Sequence, residues 1–422
     1  MRGDVLRHRE VILGRSVDRA ILHLGAPAAL AALLQAGFLV VDTFWLGRVG
    51  PVALAAASTA GFVMWLAQTI GEGLGVGSGS LLAQGVGAGD GEAARRAASA
   101  GLLLAVWGAV ATSGVGLALI DEVFAFMRTA PDVTAKGRAY LVVILAGMPA
   151  YFLFAWIAAA FRAAGDATTP LKLLGLAAAV NVVADPLLIF GIGPLPRLEV
   201  TGTALAAFWV GLPMAAEGAL FSLIYIFLTR IITDFGTDSV AALGIGHKLE
   251  VFNYFVCAGM GAAATTLVGQ SLGAGDSLRA RRSAWRSLFL TCLPVGAVTV
   301  VLVTFPSAAV SVFSPDPGVI AAGATYVLLV GMSQLFMAAE VVLLGALAGA
   351  RWTVAPSVLQ IALTGARVPL AALLVAAGWG VEGIWLAISA TTVVKGLALA
   401  ALLAVRLPGR APRSPLPASA VC

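Results

Sequence analysis

The sequence predicts an all-α polytopic membrane protein of two pseudo-symmetric six-helix bundles, with about 12 transmembrane helices. Three observations carry this reading. Of 422 residues, 60% are hydrophobic and only 11% are charged, against about 25% charged in soluble proteins. The apolar segments are too long and too many for a globular core. They run continuously rather than alternating, which argues against a β-barrel. Third, the chain repeats itself 186 residues on: Gly25-Ala26-Pro27 returns as Gly211-Leu212-Pro213, and Gly73 and Gly75 return as Gly259 and Gly261. Gln84 to Asp90 returns as Gln270 to Asp276, Arg95-Arg96 as Arg281-Arg282, and Tyr140 as Tyr326. A long repeat in so apolar a chain means two related bundles, and transporters place their sites between such bundles.

Apolar spans read at 21–45, 52–83, 97–120, 137–160, 171–192 and 200–210 in the first half. In the second half they read at 211–232, 240–268, 287–308, 319–348, 355–377 and 383–405. Short turns rich in Gly, Pro and Asp separate them, and Met148-Pro149 and Pro186 are bending points in the first bundle. The division that follows is a cytoplasmic N-terminal segment 1–20, a first bundle 21–210, a second bundle 211–406 and a disordered cytoplasmic tail 407–422 carrying four Pro.

Charge sets the orientation. With the N-terminus cytoplasmic, the inner segments hold Arg2, Arg7, Arg9, Arg15 and Arg19, then Arg95 and Arg96, Arg162 and Lys172, Arg279 to Arg286, Arg351, and Arg406 to Arg413. Each half satisfies the positive-inside rule separately, so both enter from the cytoplasm and the repeat is parallel. A first half that starts and ends inside must cross an even number of times. Its sixth crossing and the seventh then share Val200 to Ile232, only 33 residues. Two crossings need about 17–25 residues each, so part of the sixth helix and the inter-lobe loop reads as missing, about 25–40 residues.

No enzyme is expected. Gly71-Glu72-Gly73-Leu74-Gly75-Val76-Gly77 is glycine-dense but lies in a span with no preceding strand, so it is neither a phosphate loop nor a dinucleotide fingerprint. Cys257, Cys292 and Cys422 show no pairing or metal spacing. With no nucleotide motif, energy comes from a proton or sodium gradient rather than a cofactor. The pI near 9.4 is explained by basic loops, without nucleic acid.

Several motifs resemble the multidrug and toxic compound extrusion (MATE) family, and within it the DinF-like branch. Val41-Asp42-Thr43-Phe44-Trp45-Leu46-Gly47-Arg48-Val49-Gly50 resembles the family's first-helix signature. Gln84 to Asp90 is similar to its helix 2–3 turn, Arg162 to Pro170 to its helix 4–5 turn, and Asn181-Val182-Val183-Ala184-Asp185-Pro186 to its fifth-helix motif. Leu267-Val268-Gly269-Gln270 and Arg367-Val368-Pro369-Leu370 fit in the second half. The resemblance covers nearly the whole chain except the tail. It implies two bundles that rock between inward-open and outward-open states, exporting organic cations and amphipathic drugs against protons or sodium.

The candidate coupling residues are Asp42 and Asp185 with Asn181. An acid at membrane depth is costly and usually faces a cavity or a partner. The bland readings stand beside this: a helix-end residue at the interface for Asp42, and a helix-breaking Asp-Pro at the membrane surface for Asp185. Asn181 and Asp185 are four apart and share a helix face; Gln35, seven before Asp42, shares one with it or is an ordinary helix contact. By resemblance, Tyr140 and Thr203 join the first-lobe network; Tyr140 reads equally as an interfacial anchor. Other branches of the family use second-lobe acids in helices 7 and 10. Glu217 and Glu340 are the acids available here, and no sequence neighbour pairs Glu340. The second half departs elsewhere too: Asp42 is matched by Leu228, Asn181 by Arg367, and the position resembling Asp166 by Ala350-Arg351. These departures favour a first-lobe site.

The expected function is secondary active export of a small-molecule drug or toxin by a monomer in the cell membrane, contacting lipid. Two alternatives stay open. One is a lipid-precursor flippase of the same superfamily, disfavoured because the charged residues read as lying mainly in loops. The other is a non-transporting truncated remnant, motivated by the short region 200–232.

Overall fold

The computed structural model describes residues 12–49, 51–127, 131–190, 228, 231–232 and 234–407; within its helices some side chains, 38–49 and 181–190 among them, lie outside the described set. Fourteen helices carry it and no strand appears among the described residues. They are α1 Val17–Val49, α2 Pro51–Ala88, α3 Gly91–Ala118, α4 Ile120–Met127, α5 Pro131–Ala164, α6 Thr168–Phe190 and α7 Thr237–Gly273. Then come α8 Ser277–Thr304, α9 Pro306–Ser311, α10 Pro317–Gly331, α11 Gln334–Gly349, α12 Val354–Gly365, α13 Arg367–Ala376 and α14 Gly380–Arg406. Among the described residues seven spans are long and apolar enough to cross a membrane, one of them α12 and α13 together, or eight with α10 and α11 counted as one bent span. The sequence-read spans 200–210 and 211–232, and with them the expected shortening of the sixth helix, fall outside the described residues apart from Leu228, Ile231 and Ile232.

Each lobe has its own core. In the first, α2, α3 and α5 bury Ala60, Ala109, Leu141, Leu145, Tyr151 and Phe152. In the second, α7, α10, α13 and α14 bury Leu243, Tyr326, Ala371, Ile384 and Trp385. A third cluster joins the lobes: Ile21 and Leu24 of α1 pack with Ala264 and Leu267 of α7, Val342 and Leu343 of α11 and Leu399 of α14. Ile12, inside the segment read from sequence as a cytoplasmic extension, is buried in this same cluster. Small residues permit the crossing. A side chain at Gly259 would strike the backbone of Ala28 and Ala29, and one at Gly25 would strike Met260.

The repeat is visible in its turns. Gly89 and Gly275 take φ of 72° and 77°, the left-handed region that closes a helix. The next residue caps the following helix in both lobes: Asp90 accepts from the backbone N–H of Glu92 and Ala93, and Asp276 from that of Arg279. The third such turn breaks the symmetry. Gly165, at φ 103°, precedes the cap Asp166, whereas the second lobe puts Arg351 at φ 62° and then Trp352. Arg351 thus stands for the glycine and Trp352 for the acid, which corrects the sequence reading of that turn. The guanidinium of Arg406 lies 4.1 Å over the Trp352 ring.

One bend was not signalled by a proline. α5 runs unbroken through Pro149. The described break is the 50° bend between α10 and α11, where no proline stands. Carbonyls freed there are taken by hydroxyls: Ser333 donates to Val330 O at 2.8 Å and Ser389 to Leu329 O at 2.7 Å.

Two expectations follow from the caps. Asp276→Ala removes a cap worth about 1 kcal/mol and lowers the thermal unfolding midpoint. The backbone N–H of Ala93 holds the Asp90 carboxyl below its ordinary range. Its contribution is therefore present above the unfolded-state pKa and disappears as pH falls through the folded-state pKa. A pH titration of unfolding with Asp90→Asn, which loses only this increment, checks the sign.

Candidate functional site

The first-lobe candidates sit on two packed helices. α1 carries Gln35 and Asp42, α6 carries Asn181 and Asp185, and α1 packs along α6. The four side chains, and Thr203 and Glu217 entirely, lie outside the described residues. Tyr140 on α5 is described. It is buried in the first-lobe core with Phe124 and Ile144, so it is not an exposed interfacial anchor.

Charged side chains are not confined to loops. On α2, Glu72 accepts from the hydroxyl of Tyr151 at 3.4 Å, and Tyr151 is fully buried on α5. The glycine density around Glu72 hid this acid in the sequence. In the second lobe Tyr326, the repeat partner of Tyr140, donates to Glu250 at 3.1 Å and stands edge-on to Trp385. Beside it Arg367, at the repeat position of Asn181, is buried and donates to Thr391 at 2.9 Å and Thr392 at 2.8 Å. Leu228 and Ala371, at the repeat positions of Asp42 and Asp185, are fully buried. The second lobe therefore keeps the tyrosine, replaces both acids with hydrocarbon, and puts a guanidinium where the first lobe has an amide. Glu340 is not unpaired: Lys395 binds it at 2.5 Å and Gln360 donates to it at 3.0 Å. These partners are 55 and 20 residues away, beyond any local sequence signal.

The lobes meet at the end carrying the repeated Gly-Ala-Gly-Asp turns, and they meet reciprocally. Gln84 of α2 donates to Gly349 O, at the end of α11, at 2.9 Å. Gln270 of α7 donates to Ala163 O, at the end of α5, at 2.8 Å. The four residues are two repeat pairs, so one bond is the pseudo-symmetry image of the other. The last carbonyls of a helix lack intrahelical donors, and each lobe supplies the other's missing donor. Ser80 adds a bond to Ala348 O at 2.6 Å. A side chain at Gly87 would strike the backbone of Gln270, and one at Gly273 that of Gln84. The N-terminal segment fastens the same end: Arg279 donates to Ile12 O at 2.6 Å and Arg15 O at 2.9 Å, and Arg286 pairs with Asp18. These arginines hold structure as well as contributing to charge bias.

The MatE family model matches residues 27–187 and again 213–373, at the same 186-residue offset as the repeat. The chain belongs to the MATE family. A protein of Thermotoga maritima described as a probable multidrug resistance protein NorM is 26% identical, covering 85% of this chain and 86% of that relative. A Shewanella oneidensis protein described as an FAD transporter is 26% identical over 75% of this chain and 78% of its own length. A solved structure described as the outward-facing conformation of a multidrug resistance MATE family transporter superposes with a TM-score of 0.86. It covers 94% of this chain and 97% of that one at 20% identity, a likeness of fold. This MATE chain is a multi-pass membrane transporter, not an enzyme.

The reciprocal contact generates a test. Each glutamine bond has a net worth of about 0.5–1.5 kcal/mol. Gln84→Ala and Gln270→Ala each raise the parted population about two- to tenfold, and by similar factors. Gly87→Leu parts the lobes more completely, because backbone blocks its side chain. A cysteine placed at the fully buried Ala83 then labels faster with a membrane-impermeant thiol reagent in the order Gly87→Leu, either glutamine variant, parent.

Proposed function

We propose that this chain is a proton-driven exporter of organic cations and other amphipathic compounds, of the DinF-like branch. It acts as a monomer in the cell membrane with both termini cytoplasmic. The observation that carries the reading is the reciprocal closure by Gln84 and Gln270. With the basic turns cytoplasmic, that contact is a shut inner gate, the state that presents cargo outward. Its bonds end on helix-terminal carbonyls, which water satisfies when the lobes part, so these bonds add only a few kcal/mol to closure. An alternating-access carrier requires closing bonds of that modest size.

Asp42 and Asp185 are the proposed proton carriers, assisted by Asn181, Tyr140 and Thr203. Two carboxyls close enough to interact titrate as a pair, and the helices that carry these two, α1 and α6, are neighbours. Protonation removes their charge and frees α1 to shift, lowering affinity for a cationic cargo. α1 is suited to transmit that shift because its start is fastened to α8 through Asp18 and Arg286. Asn181 serves either state, since an amide donates to a carboxylate and accepts from its acid. Gln35, Glu72, Glu217 and Glu340 are secondary polar positions. The gradient supplies the energy, with no cofactor.

A second reading is favoured by one observation. Arg367 is buried and bonds to two hydroxyls, with no carboxylate within ion-pair distance among the described residues, although Glu250 is an electrostatic neighbour. A guanidinium so placed favours an anionic amphiphile, and the Shewanella oneidensis relative is described as an FAD transporter.

Inverted membrane vesicles decide. Under an imposed pH gradient, wild type accumulates a fluorescent organic cation above empty vesicles. Asp42→Asn and Asp185→Asn each fall to background. Full gradient-driven uptake in both variants refutes the proton site. Accumulation of an anionic dye in place of the cation, lost in Arg367→Gln, selects the second reading.

A further inference from the structure

The repeat allows one lobe to serve as control for the other. Glu340, Gln360 and Thr364 stand 186 residues after Phe154, Leu174 and Ala178. In the first lobe those three positions form an apolar cluster: Leu174 is buried, with Phe154, Ala178, Ala31 and Leu34 packed against it. In the second lobe the same positions hold a carboxylate, an amide and a hydroxyl, with one ammonium bonded to the carboxylate and the hydroxyl. Lys395 Nζ lies 2.5 Å from Glu340 Oε1 and 3.3 Å from Thr364 Oγ1. Gln360 Nε2 donates to the same carboxylate oxygen at 3.0 Å. The lysine and glutamate side chains are 4% and 8% exposed.

Three elements, α11, α12 and α14, converge to make this group, and the polar groups of Glu340, Gln360 and Thr364 have no counterpart at Phe154, Leu174 and Ala178. Gln360 and Thr364 are one helical turn apart on α12, so both face the same point. Remove the ammonium, and the Glu340 carboxylate and Thr364 hydroxyl oxygens face the space it filled, with the Gln360 amide bonded to the same carboxylate. That all-oxygen set suits a hard cation, and its single negative charge suits a monovalent one.

We propose that the Lys395 ammonium is a resident counter-ion filling a monovalent-cation site in the second lobe. This lobe carries its cation covalently and takes none from solution. The inference bears on the export reading by leaving coupling to the first lobe, but its test reads binding alone and stands whatever the transport assay gives.

The full-length protein is purified in detergent and unfolded thermally in sodium chloride, methylammonium chloride and choline chloride at equal ionic strength. Lys395→Ala is expected to show a rise in Tm in sodium and in methylammonium over choline, beyond any shift in wild type. Methylammonium restores the missing head group. The double variant Glu340→Gln/Lys395→Ala is expected to lose that increment. Recovery of folded Lys395→Ala only in sodium or methylammonium counts in the same direction. Should Lys395→Ala not be recovered in any salt, Lys395→Gln is read the same way, because its amide keeps a donor at Glu340 while removing the charge. Equal Tm in the three salts for the folded single variant overturns the proposal. So does a sodium-specific shift in wild type that Glu340→Gln removes, since the site would then be open with the lysine in place.

Discussion

The constraint on which the rest depends is that two backbones must touch at one end of the molecule. Gly87 lies against the backbone of Gln270, and Gly273 against that of Gln84. No other residue permits that approach. Once it is made, the glutamine amides reach the last carbonyls of α11 and α5. The sharp turns that follow, at Gly89 and Gly275, then send α3 and α8 back along their own lobes. The cluster of α1, α7, α11 and α14 side chains closes beneath the contact. The hydrogen bonds of that seam are individually modest, about 0.6 kcal/mol for an average interhelical bond in a membrane. Bonds so modest can open and shut.

Pseudo-symmetry governs the scaffold but not the chemistry. The turns, caps and glutamine bonds obey the repeat. The polar side chains in the spans do not. The first lobe has apolar Phe154, Leu174 and Ala178 where the second has Glu340, Gln360 and Thr364. The second has Leu228 and Ala371 where the first has Asp42 and Asp185. Two copies of one bundle have thus kept the contact that joins them and diverged in what each holds. α1 bridges them, fastened to α8 at its start and packed along α6.

The repeat, the order of the described spans and the Gly-Asp turns were legible in sequence, because they are local patterns that recur. The closing glutamines lay inside a recognised motif, though their partners did not. Long-range pairing was hidden. Nothing near Glu340 announces Lys395, 55 residues on, and Glu72 disappeared into a run of glycines. The bend after Gly331 carries no proline and is maintained by hydroxyls from Ser333 and Ser389. Arg351 occupies a left-handed position that glycine fills in the first lobe, so the motif looked absent where the turn persists. Tyr140 was ambiguous because a lone tyrosine in a span suits a core and an interface equally; only packing distinguishes them.

The central claim is that the glutamine-closed seam is one of two states. Spin labels at Glu92 and Leu278, exposed repeat partners at the starts of α3 and α8, report it through dipolar distance distributions in lipid nanodiscs. The account predicts two distances whose shorter population falls when Gln84 and Gln270 are both replaced by alanine. A single distance, unchanged by that double replacement, would contradict it.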